Sequence, residues 1–412
     1  MTRSWDVAWR LPSFVAAIAL GLAIFRVSSN AFGKVAATIA LSAFALNMLS
    51  IRLATLVRTD MLQALVIFVI GAIIFAKIRT REKWSFREKL SIFALLAAAL
   101  LLKGPVVYAF LLPGIIIFHA FRPRSANQSS IADHRSLSLG TGWWPWMVSL
   151  AIFLIWAFGG IKFVPGFYEQ VVQREFLGRF AETVHRGQPV YFYFVHLLHK
   201  FMPWSLVIIA LATIQGRTIN VRKAFSGVRP EVLWLICWAL GGLFVMSIVP
   251  SKRVDRIFPV IPPLCLLLAA QTEVLGRTIL ESKARRWYAF VLLFAAVYCA
   301  SYSSWKLYSG YRDNRAALAD FGREVRDLSA KENLRYEAIG RNDEGIPLYL
   351  RRPAFISRTQ AIADWNAGRL DAVAVPLDEA ERLMPQLQGA TITLTSGERR
   401  HLDRPRYVLL AR

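Results

Sequence analysis

Residues 90–118 read LSIFALLAAALLLKGPVVYAFLLPGIIIF, an apolar segment that Lys103-Gly104-Pro105 interrupts near its middle. Crossing roughly 30 Å of hydrocarbon takes about 20 helical residues at 1.5 Å per residue, and each half falls short of that length. Glycine and proline both end helices. The segment therefore predicts a helical hairpin within a membrane, with a lysine at its tip.

The whole chain has the same apolar character, since 55% of its 412 residues are hydrophobic and 13% are aromatic. A soluble fold of this size cannot bury so much apolar surface. With the two arms of the hairpin, the apolar stretches predict a mainly α, polytopic transmembrane helix bundle of about 10 spans over residues 1–304. The other stretches are 11–27, 32–51, 61–77, 143–161, 191–213, 232–249, 257–275 and 287–304.

The formal net charge of +23 indicates an anionic partner, which could be nucleic acid or lipid. No aromatic platform or recognition-helix pattern accompanies the basic residues, so we expect no nucleic acid partner and assign the charge to the lipid bilayer. Loops rich in Lys and Arg face the cytoplasm, which predicts a multi-pass membrane protein with these loops on the inner side. The loops are 77–89, 119–142, 215–231 and 276–286.

Counting crossings from those loops puts 52–60, the hairpin tip, 162–190, 250–256 and all residues after 305 outside. Basic residues in these outer segments break the charge rule and are therefore functional candidates. The same count puts Met1 outside, although the first residues have no apolar core or cleavage site of a signal peptide.

The composition becomes charged and mixed from about Tyr308. Strand-like and helical stretches alternate there, which predicts a small α/β domain over residues 305–412, on the outer side of the membrane. It carries no glycine-rich phosphate loop, catalytic triad signature or metal-ligand spacing, so we interpret it as a lid or docking domain. The predicted strands are 336–340, 372–376, 391–395 and 407–410, and the helices are 315–330, 343–351, 359–368 and 377–387.

The basic residues of the outer segments fit a phosphate-bearing lipid. Lys103, at the helix break, would place its ammonium on the phosphate; the alternative is a lysine that snorkels at a helix end. Lys252, Arg253 and Arg256 would form a second clamp, since planar guanidinium groups suit bidentate phosphate binding. The alternative for these three is a solvated loop.

Carboxylates are scarcer in the outer segments. Asp60 is the candidate base or a carboxylate that orients a cation, and the alternatives are a surface pair with Arg58 or a helix cap. In 162–190, Arg179 would contact donor phosphate or acceptor, and His185 would bind a metal or donate a hydrogen bond. The alternative there is an exposed amphipathic helix. Because zinc-type sites need three or four ligands, one histidine specifies no cofactor and leaves a divalent metal open.

Two glycine pairs, Gly159-Gly160 and Gly241-Gly242, lie inside predicted spans. Small residues let helix backbones approach closely in membranes. We therefore expect both pairs to mark close helix packing rather than ligand contacts.

An ordered series of short motifs over most of residues 8–275 resembles the lipid A aminoarabinose transferases and bacterial relatives of the protein O-mannosyltransferases. Those are C-type glycosyltransferases that use polyprenyl-phosphate sugars. The resemblance implies a glycosyltransferase of the bacterial inner membrane with a periplasmic C-terminal domain. The substrate-binding residues that we predict are Arg58, Lys103, Arg179, His185, Lys252, Arg253 and Arg256. The motifs are Arg10-Leu11-Pro12-Ser13, Arg58-Thr59-Asp60, Lys103-Gly104-Pro105 with Leu112-Pro113, His185 to Pro189 with Tyr191-Phe192-Tyr193, Pro203-Trp204, and Pro250-Ser251-Lys252-Arg253 with Pro259 and Pro262-Pro263.

The chain departs from that family at two places. The family carries an acidic motif in its first outer loop, usually an Asp with a neighbouring Glu, and this chain starts after it. The family's tyrosine after the second lysine motif is replaced by Arg256-Ile257-Phe258. We therefore expect an upstream helix and outer loop to be missing at the N-terminus, the alternative being an unusual insertion of the first span.

The hypothesis that follows is transfer of a sugar from a polyprenyl-phosphate donor to an extracytoplasmic acceptor such as lipid A, another glycolipid or a protein. One alternative is a lipid-linked glycan flippase or other transporter, which predicts repeated broken helices in two corresponding halves, whereas one clear break is readable here. Another is a non-catalytic remnant or subunit that still binds lipid phosphate.

Genomic DNA upstream of the Met1 codon tests the expectation of a missing segment. We expect an open frame that encodes a hydrophobic helix followed by an Asp-Glu type motif. DNA sequencing checks it, and an in-frame stop codon immediately upstream would contradict it.

Overall fold

The computed structural model describes residues 3–121, 139–176, 187–216, 228–276, 281–314, 316–340, 345–398 and 406–412. The chain divides into two compact units, Met1–Cys299 and Ala300–Arg412.

The described part of the first unit is helical. A π-helical segment covers Tyr168–Phe176, and a 3-10 helix, Val254–Val260, leads directly into the helix α11. The α-helices are α1 (Arg3–Phe32), α2 (Lys34–Ala45), α3 (Met48–Ala54), α4 (Asp60–Thr80), α5 (Phe86–Lys103), α6 (Val106–Phe121), α7 (Leu139–Phe163), α8 (Phe192–Lys200), α9 (Trp204–Gly216), α10 (Pro230–Ile248), α11 (Ile261–Gly276) and α12 (Glu281–Arg312), which continues into the second unit.

Among the described residues, 6 helices are long and apolar enough to cross a membrane, or up to 8 if each of two bent helix pairs is one span. The predicted mainly α, polytopic bundle is confirmed, but about 10 spans are not. The two arms of the hairpin account for the difference, because α5 begins with the charged turn Arg87-Glu88-Lys89 and α6 has 16 residues.

The predicted break at Lys103-Gly104-Pro105 is confirmed. Helix α5 ends at Lys103, Gly104 adopts φ 71°, and α6 begins at Val106. A positive φ of this kind strains any residue with a Cβ atom, so glycine is suited to the corner.

Two further breaks, which the sequence did not predict, lie within the predicted spans 32–51 and 191–213. Helices α2 and α3 meet at 65°, and α8 and α9 meet at 102°. At the first break, the Asn47 amide donates to the carbonyl oxygens of Ala43 and Phe44 at 2.8 and 2.7 Å, and its oxygen accepts from the Ser50 N–H at 2.9 Å. One side chain therefore closes α2 and caps α3. At the second, Pro203 lacks the N–H that a continuous helix needs.

Helices α4, α6 and α10 pack against one another in the first unit. A Cβ atom on Gly241 would lie 2.5 Å from the Gly114 backbone nitrogen, so α10 and α6 touch there. The ring of Trp238 lies over Gly71 and stacks on Phe68, with 6.1 Å between ring centroids. The predicted close packing is confirmed at Gly241.

The same prediction is wrong at Gly159, where no atom of the described residues lies within 4 Å of an added Cβ. Its neighbour Gly160 faces the ring of Phe167 rather than a neighbouring helix.

The second unit is an α/β fold around a four-stranded sheet of order β1-β2-β4-β3, in which β1 pairs with β2 in parallel and the other pairs are antiparallel. Successive residues of β2 and β4 face opposite sides of the sheet and enter two separate apolar cores. The elements are α13 (Ala317–Glu332), β1 (Tyr336–Ala338), α14 (Gly345–Leu350), α15 (Arg358–Asn366), β2 (Ala372–Pro376), α16 (Leu377–Leu383), a 3-10 turn (Met384–Gln386), β3 (Thr391–Thr395) and β4 (Tyr407–Ala411).

An ion pair joins the starts of β1 and β2. The Arg335 guanidinium bonds the Asp371 carboxylate in a bidentate manner, with Nε–Oδ2 at 2.8 Å and Nη2–Oδ1 at 2.9 Å. These bonds lower the pKa of Asp371 to about 2. The carboxylate is therefore charged at any physiological pH, and the parallel register of β1 on β2 is held at one end.

Replacing Gly241 with alanine tests the helix contact. We expect Gly241→Ala to lower the free energy of unfolding by about 1–3 kcal/mol, because the new methyl group meets backbone that cannot move without separating α6 from α10. Gly159→Ala is the matched control, and should leave stability unchanged or slightly higher. Thermal unfolding in detergent measures both, and equal midpoints would contradict the contact.

Candidate functional site

A cavity of about 370 Å³ lies in the first unit between the start of α4, the junction of α5 and α6, the end of α10 and the 3-10 helix. Its polar lining comprises Asp60, Gln63, Lys103 and Arg256. A cavity with two cations and apolar walls suits an amphiphile with an anionic head. The remaining lining residues are Pro105, Val106, Ala109, Phe110, Val245, Met246, Ile248, Val249 and Pro259.

Asp60 and Lys103 form an ion pair across the cavity lining. Asp60 is the first residue of α4, where the positive end of the helix dipole favours a carboxylate, and it is 8% exposed. Lys103 is the last residue of α5. The alternative of a surface pair between Arg58 and Asp60 is wrong, because Arg58 bonds a different carboxylate.

That carboxylate is Asp255, which is 4% exposed and faces three arginines. Arg58 Nη1 lies 2.8 Å from Asp255 Oδ2, Arg52 Nη1 lies 3.5 Å from Oδ1, and Arg253 Nη2 lies 4.0 Å from Oδ2. The Arg58 carbonyl also accepts from the Ser13 hydroxyl at 2.9 Å. Asp255 therefore holds the segment before α4 against the 3-10 helix.

The three cations of the predicted second clamp have different surroundings. Arg256 lines the cavity, and its Nη1 donates to the Ser251 carbonyl at 2.8 Å. Lys252 is 5% exposed, and its ammonium donates to the Gln188 carbonyl at 2.8 Å. Burial lowers the pKa of Lys252. Lys252 thus ties the segment before α8 to the 250–256 segment.

Arg253 contributes through its backbone as well as its side chain. Its N–H donates to the Tyr193 hydroxyl at 3.2 Å, while its guanidinium lies at the edge of the Asp255 cluster. Of the three predicted clamp residues, Arg256 is the one in the cavity lining.

The other predicted site residues, Arg179 and His185, lie outside the described residues. Within the described part of the chain, no group of three or more His, Cys, Asp or Glu side chains is arranged to hold a metal ion.

Two residues of this region were missed by the sequence reasoning. Gln63 lines the cavity, and its signal was a polar residue within an otherwise apolar span, three positions after Asp60. Arg52 joins the Asp255 cluster, and it gave no signal beyond its position in an outer segment.

No family model matches the chain. Three curated relatives, all undecaprenyl phosphate-alpha-4-amino-4-deoxy-L-arabinose arabinosyl transferases, match parts of it. The protein of Serratia proteamaculans is 29% identical over 31% of this chain, that of Shewanella sediminis is 29% identical over 42%, and that of Sodalis glossinidius is 30% identical over 32%. The matched stretches span 22%, 29% and 23% of these relatives' own lengths.

Two solved structures of ArnT from Cupriavidus metallidurans share the fold. The structure bound to undecaprenyl phosphate has a TM-score of 0.65 at 17% identity, and the apo structure has 0.63 at 20% identity. Each match covers 98% of this chain and 83% of the ArnT chain. This chain is therefore a multi-pass membrane protein that resembles ArnT in fold and, over the matched stretches, in sequence.

Neutralising Asp255 tests its structural role. We expect Asp255→Asn to lower the free energy of unfolding by about 1–2 kcal/mol, because the arginines lose the buried carboxylate that they bond, while water still solvates their partly exposed guanidinium groups. Glu82→Gln is the control, since exposed Glu82 pairs with Lys77, which keeps Glu88 at 2.8 Å; about 0–1 kcal/mol is expected. Thermal unfolding in detergent measures both, and similar losses would show that Asp255 is not an anchor.

Proposed function

We propose that this chain is a membrane glycosyltransferase that moves a sugar from a polyprenyl-phosphate donor to an acceptor at the outer face of the bacterial inner membrane. The observation that carries the proposal is the cavity with Asp60, Lys103 and Arg256 in an otherwise mostly apolar lining. Such a lining suits a lipid phosphate, with the phosphate on the cations and the prenyl chain on the apolar walls.

The relatives support this choice of donor. Three curated relatives are named as transferases of an undecaprenyl-phosphate sugar, and one solved ArnT structure of the same fold holds undecaprenyl phosphate. By this analogy the donor of this chain is an undecaprenyl-phosphate sugar, and its first candidate sugar is 4-amino-4-deoxy-L-arabinose. The acceptor is a glycolipid such as lipid A, or a protein.

Two cations serve the leaving group in this proposal. When the bond between the sugar's anomeric carbon and the phosphate oxygen breaks, the phosphate gains charge, and Lys103 and Arg256 stabilise that charge. Both are held in place before the reaction, Arg256 by the Ser251 carbonyl and Lys103 by its helix end and Asp60.

Asp60 is the carboxylate in the cavity lining and the proposed base. The acceptor hydroxyl oxygen forms the new bond to the anomeric carbon, its proton passes to Asp60, and polyprenyl phosphate leaves. Asp60 pairs with Lys103 before the donor binds. When the donor binds, its phosphate replaces Asp60 as the partner of the Lys103 ammonium, and the carboxylate can then bond the acceptor hydroxyl.

The remaining predicted residues divide into two groups. Arg58, Lys252 and Arg253 hold the segments around the cavity through Asp255, Gln188 and Tyr193. Arg179 and His185 remain predicted contacts for the donor or acceptor.

The membrane orientation follows from loop charge. The basic segment that ends α4 faces the cytoplasm, and the cavity at the start of α4 then opens to the outer face. Residues 1–304 form the transferase domain in this arrangement, and residues 305–412 form a periplasmic domain.

The transporter alternative predicts repeated broken helices, and the structure shows two that the sequence did not predict, α2–α3 and α8–α9. Transport sites are formed by the broken helices themselves. Neither α2–α3 nor α8–α9 contributes a residue to the cavity lining. These two breaks therefore add no support for transport.

Variants of Asp60 and Lys103 in the purified full chain test the proposal. With a labelled undecaprenyl-phosphate sugar, we expect Lys103→Met to weaken donor binding and to lower turnover at least about 100-fold, because the leaving phosphate loses a cation. Asp60→Asn should bind the donor as well as the wild type and lose about 100-fold or more in turnover, because the base is absent.

The control is Lys34→Met, which removes an exposed lysine outside the cavity and should behave as wild type. Release of polyprenyl phosphate and transfer of label to lipid A or protein measure turnover. A wild-type chain that neither binds nor consumes such donors, or a Lys103→Met variant with normal turnover, would overturn the proposal.

A further inference from the structure

Gln63 lies in the cavity lining, one helical turn beyond Asp60 on α4. Residues three apart on a helix share a face, and three residues advance about 4.5 Å along the axis. Gln63 therefore adjoins the charged pair on the side that leads into the membrane span.

The Gln63 amide is buried and has no hydrogen-bond partner among the residues that the structure describes. The residue is 2% exposed, and neither its nitrogen nor its oxygen makes a hydrogen bond to any residue that the structure describes. Native proteins rarely leave a buried amide unpaired, because desolvation of both atoms is costly. A ligand in the cavity that Gln63 lines would satisfy both atoms of the amide.

The chemistry of the amide limits which ligand groups can bond it. Nε2 donates and Oε1 accepts, so the partner must offer both an acceptor and a donor. An ionised phosphate offers acceptors alone, and a prenyl chain offers neither. Adjacent hydroxyl groups, or a hydroxyl beside an amine, satisfy both atoms of the amide.

We propose that Gln63 binds the sugar of the lipid donor and makes the cavity selective for a sugar-charged carrier over the bare polyprenyl phosphate. This inference rests on the proposed function. It adds that the sugar lies at Gln63, beside the Asp60–Lys103 pair, with a hydroxyl or amino group on the amide. A site built to pair with such groups discriminates strongly against a ligand that lacks them.

Gln63→Met tests the inference, since methionine has a similar shape and makes no such hydrogen bonds. We expect the dissociation constant for undecaprenyl phosphate to stay within about twofold of wild type, and that for the sugar-charged lipid to rise about tenfold or more. The sugar lipids are undecaprenyl-phosphate 4-amino-4-deoxy-L-arabinose and undecaprenyl-phosphate hexoses. Met246→Leu, an exchange of apolar groups in the same lining, is the matched control and should not change the ratio of the two constants.

The thermal stability of Gln63→Met is a second measurement, because ligand binding and a structural role of Gln63 predict opposite changes in it. Removing an unpaired buried amide should raise the midpoint of thermal unfolding of Gln63→Met without ligand. A lower midpoint would mean that Gln63 bonds the protein itself, and would overturn the inference.

Three binding outcomes would also overturn it: equal weakening of both lipids, no weakening of either, or a wild-type chain that binds no sugar lipid more tightly than undecaprenyl phosphate. Failure of the wild type to bind undecaprenyl phosphate at all would instead contradict the proposed function. The two failures are therefore distinguishable.

Discussion

Charges that are removed from water must be neutralised by other charges close by, and this constraint organises the cavity end of the first unit. Asp60 and Lys103 join the start of α4 to the end of α5, while Asp255 joins the segment before α4 to the 3-10 helix. An unpaired buried charge is costly, so neither set of elements can move far without breaking a pair. The cavity lies among the elements that these pairs hold.

The polar groups of this region are of two kinds. Lys252 bonds the Gln188 carbonyl and Arg58 bonds Asp255, and these bonds hold segments of the protein together. Lys103, Asp60, Arg256 and Gln63 line the cavity, where Lys103 pairs with Asp60 and the Gln63 amide has no hydrogen-bond partner among the described residues. In the proposed mechanism, Lys103 belongs to both kinds, because the donor phosphate would replace Asp60 as its partner.

Much of the fold was predictable because it depends on local pattern. The break after Lys103 was readable from adjacent Gly104 and Pro105, each of which restricts the backbone on its own. The break at Asn47 was not, because it depends on one amide that reaches the carbonyls of the preceding turn and the N–H of the following one. For the site, sequence reasoning named Asp60, Lys103 and Arg256 but missed Gln63.

By itself, the sequence determined that the chain is a membrane protein, where most of its apolar helices lie, and that a small α/β unit follows them, because length and periodicity of apolar residues dictate these features. Only the tertiary structure decided which charge meets which. Asp60 pairs with a lysine 43 positions away and Arg58 with a carboxylate 197 positions away, rather than with each other. The physical reason is that electrostatic pairing depends on distance in space, and packing of α4 against α5 and the 3-10 helix sets that distance.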